Sequence, residues 1–146
     1  MAGGLSLVAG CLMVAGTLLP WVSGIGDITG YYGQNLFQLS ASGEFTIDGV
    51  FGVGLGGVAL LFGMARVAPT ILPARLARSP AWTTLGCALL LGVDIPRADQ
   101  LVRAANQTPH VGGAWLGLGI WVFGSGMAVA FASALLLLLA NSARPK

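Results

Sequence analysis

Residues 114–140 read AWLGLGIWVFGSGMAVAFASALLLLLA, without one charged side chain. About 20 apolar residues, rising 1.5 Å each, cross the roughly 30 Å hydrocarbon core of a bilayer. This run is long enough to span. Gly113, Gly117, Ile120, Gly124 and Ala128 recur along it at helical spacing. That places mostly small residues on one face, the arrangement that lets two helices approach closely in lipid.

The whole chain has the same character. Of its 146 residues, 55% are hydrophobic and 8% charged, and the mean hydropathy is +0.83. An ordinary soluble domain carries about 25% charged residues. So few charges cannot cover a water-facing surface, whereas a bilayer removes that need. The net charge of +2 and the scattered basic residues exclude nucleic acid as an expected partner.

Three further segments follow from the same reading. Residues 2–22 are apolar, and Pro20-Trp21 closes them with a helix breaker and an interface-type aromatic. Val8-Ala9-Gly10-Cys11 has the look of a lipoprotein cleavage box. No Lys or Arg precedes it and the apolar stretch before it is short, so the segment is read as a retained membrane helix. Residues 49–67 form the second segment, with Gly52, Gly56, Ala59 and Gly63 on one face. The run Gly52-Val53-Gly54-Leu55-Gly56-Gly57 has no preceding strand and is read as helix packing, not nucleotide binding. Residues 81–93 are apolar for only about 20 Å of helix and run on into a charged stretch ending at Arg103.

Between the first two segments, residues 23–48 hold Asp27, Glu44 and Asp48 and no basic residue. Tyr31, Tyr32, Phe37, Phe45 and Ile47 among glycines predict short strands, with a hairpin of residues 37–39 and 44–47. Four spans with the N-terminus inside place Arg66, Arg75, Arg78, Arg144 and Lys146 in the cytoplasm and Arg97 and Arg103 outside. A re-entrant third segment gives the same five-to-two tally with other members. Four spans are preferred, because exposed non-helical backbone at membrane depth is costly.

Chemistry-bearing residues are sparse. Asp94 and Arg97 are spaced i, i+3, and Asp99 and Arg103 i, i+4, so a helix through Pro96 pairs opposite charges. Intramembrane charge costs about 2.5–3.5 kcal/mol per residue, so such a cluster is either an ion or partner site or a solvated helix end. His110 stands alone in a polar loop over residues 106–113. Cys11 and Cys87 sit in apolar runs without metal-ligand spacing and are read as small buried hydrophobes. Trp21, Trp82, Trp115 and Trp121 are read mainly as interface anchors, with Trp121 deep enough to pack on a helix. No cofactor or metal is expected.

The pattern Leu18-Leu19-Pro20-Trp21-Val22-Ser23, an acidic glycine-rich loop ending at Asp48-Gly49, and a glycine-rich second span resembles small uncharacterised four-helix membrane proteins of actinobacteria. The likeness covers about the first half of the chain and implies four helices but no activity. Some such proteins are accessory subunits of respiratory or transport complexes. The strand-like outer loop is also similar to that of claudin-type proteins, whose loop Trp and Cys signature is absent here. Small multidrug transporters match in size but carry an acid in the first span, which this chain lacks.

The expectation is therefore a single domain over residues 1–146, an all-α membrane protein with four transmembrane helices at about 2–22, 49–67, 81–103 and 114–140. A short strand-like loop at 23–48 lies outside, and both termini face the cytoplasm of a bacterial plasma membrane. The expected function is that of a non-enzymatic accessory or scaffold subunit within a membrane complex or homo-oligomer. The alternative is a small ion- or proton-coupled transporter or channel using Asp94 and Asp99. The expected packing face is Gly52, Gly56 and Gly63 against Gly117, Gly124 and Ala128.

Overall fold

The structure, a computed structural model, describes residues 2–26, 30–41, 49–68, 70, 96–104, 106–107 and 111–142. Its elements in chain order are α1 (Ala2–Leu18), β1 (Val22–Gly26), β2 (Gly30–Gln34), α2 (Leu36–Ala41) and α3 (Gly49–Val67), followed by α4 (residues 96–104), β3 (Val111–Leu116) and α5 (Leu118–Ser142).

The expected four-span bundle is overturned. Among the described residues, two helices are long and apolar enough to cross a membrane, Gly49–Val67 and Leu118–Ala140. The first segment yields a helix of only 17 residues. A small three-stranded sheet joins the helices. Residues 81–93, and with them the question of a spanning or re-entrant third segment, lie outside the described residues.

Local chemistry accounts for both shortened segments. Pro20 has no N–H to donate and biases the residue before it toward extended backbone, so α1 ends at Leu18 rather than running to residue 22. The freed chain enters β1. The fourth segment gives up residues 114–116 to β3, whose first half comes from the loop before it, and Gly113 takes φ +90, a left-handed conformation that suits glycine. Gly117 N–H then donates to Trp21 O at 2.7 Å and Gly119 N–H to Pro20 O at 2.7 Å. These bonds tie the start of α5 to the end of α1.

The sheet order is β2-β1-β3, antiparallel throughout, with Val22 opposite both Gln34 and Leu116. The strands thus come from residues 22–26, 30–34 and 111–116. Residues 37–39, expected as a strand, belong to α2, and residues 44–47 lie outside the described residues. A reciprocal cap explains α2. Gln38 N–H donates to Asn35 Oδ1 at 3.1 Å, and Asn35 N–H donates to Gln38 Oε1 at 2.9 Å.

Helix α1 packs against both α3 and α5. It runs antiparallel to each: Gly3 lies by Arg66 and Val67 while Gly52 lies by Thr17, and Gly16 lies by Phe123 while Ser6 lies by Ser133. Backbones touch at the glycines. A Cβ on Gly10 would stand 2.7 Å from Gly56 O and 2.8 Å from Leu60 N. One on Gly126 would stand 2.9 Å from Met13 N and 3.0 Å from Ala9 O. Without a side chain between them, the helix backbones gain dispersion contacts along their length.

The buried core lies where the sheet meets the helices, among Met13, Trp21, Val22, Leu36, Ile120, Phe123 and Met127. Ala98 and Val102 of α4 join it. Trp21, expected as an interface anchor, is fully buried. Its indole meets the Phe123 ring edge-on, centroids 5.6 Å apart, and its Nε1–H donates to Gly16 O at 2.9 Å. That bond satisfies one of the carbonyls left open near the end of α1.

Candidate functional site

The described members of the charged cluster, Arg97, Asp99 and Arg103, lie on α4 and are partly or fully exposed. Asp99 and Arg103 pair at 2.8 Å on α4, one turn apart, with their side chains 43% and 74% exposed. Arg97 is exposed on the same helix. Asp94 and His110 lie outside the described residues. An exposed ion pair of this kind contributes about 0–1 kcal/mol, because water screens both partners and ordering them costs entropy. Asp99→Asn is accordingly expected to leave thermal stability in detergent within about 0.5 kcal/mol of the parent. A clear loss of stability would mean that Asp99 holds more than Arg103.

The small-residue positions divide. Gly52, Gly56 and Gly63 are buried, and their partners are Thr17, Leu36, Val14, Gly10 and Leu7. Their face meets α1 and not the fourth segment. Gly117 is buried between Pro20 and Ser23, at the junction of β3 and α5 rather than on a helix face. Gly124 has nothing within 4 Å of where its Cβ would stand, and Ala128 is exposed. Gly126 and not Gly124 meets α1, because two residues of helix turn the side chain about 200°.

Gly124 and Ala128 instead floor an open groove. Leu116, Ile120, Trp121, Gly124, Ser125 and Ala128 line a volume of about 330 Å³. Trp121, 63% exposed, forms one wall. Ser125 Oγ donates to Trp121 O at 2.8 Å, so the one hydroxyl in the lining is occupied by its own helix. The same face continues through Leu135 and Leu139, 43% and 64% exposed, at i+7 and i+11 from Ala128. Ala134, next to Leu135, turns the other way and is buried.

Helix α3 also presents apolar side chains outward, including Val50, Phe51, Val58, Leu61 and Met64. Val8 and Leu18 do so on α1. Cys11, expected to be buried, projects from this open side of α1. Gly49–Val67 and Leu118–Ala140, the two helices long and apolar enough to cross a membrane, carry most of these outward side chains.

At the other end of the helices lies a polar junction that the sequence reading missed. Ser6 Oγ and Ser133 Oγ are 2.9 Å apart and buried. Ser133 Oγ donates to Ala2 O at 2.9 Å, and Arg66 Nη1 donates to Ser6 Oγ at 3.2 Å. One chain of hydrogen bonds therefore joins α3, α1 and α5. The signal available in the sequence was a serine inside each of two apolar helices, Ser6 in α1 and Ser133 in α5. Such hydroxyls seek interhelical partners in an apolar setting, each bond contributing about 0.6 kcal/mol and at most about 1.7. Ser133→Ala should lower stability by about 0.5–1.5 kcal/mol, and Ser6→Ala should add little once Ser133 is gone. Full additivity in the double variant would show that the two hydroxyls do not act as one link.

A second missed residue is Asn106, itself helical, two positions after residue 104. Its Nδ2 donates to Ala114 O at 2.9 Å, and Ala114 N–H donates to its Oδ1 at 2.6 Å. The side-chain amide imitates a neighbouring strand along the outer edge of β3.

No protein-family model matches this chain, and no curated protein matches it.

Proposed function

We propose that this chain is an accessory or scaffold subunit of a larger membrane protein complex, binding another membrane protein rather than catalysing a reaction. The observation that carries the reading is the open groove along α5. An apolar trough walled by Trp121 and floored by Gly124 and Ala128 offers dispersion contact to a neighbouring helix. Leu135 and Leu139 extend the contact face along the helix. The occupant we assign is an apolar transmembrane helix of the partner. The spacing Gly124-x-x-x-Ala128 suits close helix approach, and the lining holds no charge for a polar ligand.

In this reading α3 and α5 cross the bilayer with α1 packed between them. The exposed Val, Leu, Phe and Met side chains of these helices face lipid. Arg66 ends α3, and Arg75, Arg78, Arg144 and Lys146 follow α3 and α5 in the sequence. The positive-inside rule then sets the N-terminus of α1 toward the cytoplasm and the sheet, with Arg97 and Arg103, on the outer side of a bacterial plasma membrane.

Ala128→Trp fills the groove without touching the α1 contact. It should leave the melting curve of the purified chain unchanged and abolish recovery of the partner in mild detergent. A photo-crosslinking residue at Gly124 should label one transmembrane helix of that partner, identified by mass spectrometry. Labelling of a second copy of this chain alone, or an unchanged partner yield in Ala128→Trp, would overturn the assignment.

A further inference from the structure

We draw no further inference here: the strongest candidate, an anion site between the N-terminus of α1 and Arg66 at the Ser6–Ser133 junction, has no second observation pointing to a ligand, because the two hydroxyls bond within the cluster and to Ala2 O.

Discussion

Gly10→Ala is expected to lower stability by about 2–3 kcal/mol, the upper part of the range for overpacking a close contact. The added methyl group would stand 2.6 Å from Leu60 Cγ, 2.7 Å from Gly56 O and 2.8 Å from Leu60 N. Leu60 can turn its side chain away, but the carbonyl and amide of α3 cannot move without moving the helix. The helices must separate by several tenths of an ångström along their whole contact, and dispersion falls steeply with such a gap. Gly4→Ala on the same helix is the internal control, since nothing lies within 4 Å of its Cβ position. It should be neutral or slightly stabilising, because alanine favours helix by up to about 1 kcal/mol over glycine. Thermal melts of both variants in one detergent check the contrast. Equal melting temperatures would show that the α1–α3 approach is looser than its glycines imply.

Trp21→Ala is expected to cost about 3–5 kcal/mol, the usual range for emptying a buried aromatic site. The indole is fully buried, stacks edge-on with Phe123, and reaches Gly16 O. Trp21→Phe separates these contributions. It keeps a ring against Phe123 but leaves the Gly16 carbonyl without its donor, a loss of about 1–3 kcal/mol. The expected order of melting temperature is parent, then Phe, then Ala, with loss of the near-ultraviolet circular dichroism of the buried indole in both variants. A Phe variant as stable as the parent would remove the hydrogen bond from the account.

The apolar runs, the break at Pro20 and the helical spacing of Gly52, Gly56 and Gly63 were legible, because composition and period act locally. The sheet was half legible. Glycines and aromatics after residue 23 signalled strands, but the third strand straddles the end of a polar loop and the start of an apolar run. Residues 111–116 are hydrophobic enough to continue α5, and only pairing with β1, nearly 90 residues earlier, decides otherwise. The cap at Asn35 and Gln38 was readable as an Asn-x-x-Gln signature and went unread. Which glycine of α5 faces α1 was not legible, since Gly124 and Gly126 differ only in where the helix is rotated. Trp21 misled for a related reason. A tryptophan after a proline at the end of an apolar run has the same local sequence whether it faces lipid headgroups or closes a core. The groove on α5 was visible as a stripe, but its being open depends on where α1 sits.

The position of α1 also bears on the order of events during synthesis. Both helices that cover its buried side lie downstream of it. As the ribosome makes the chain, α1 waits for α3 and then, after a much longer delay, for α5, which brings Phe123 to Trp21 and Ser133 to Ser6. Until then its glycine-rich flank lacks the neighbours that cover it in the folded chain. Among α1, α3 and α5, it is therefore α1 that stays open to wrong partners longest, and arrival of α5 closes that interval.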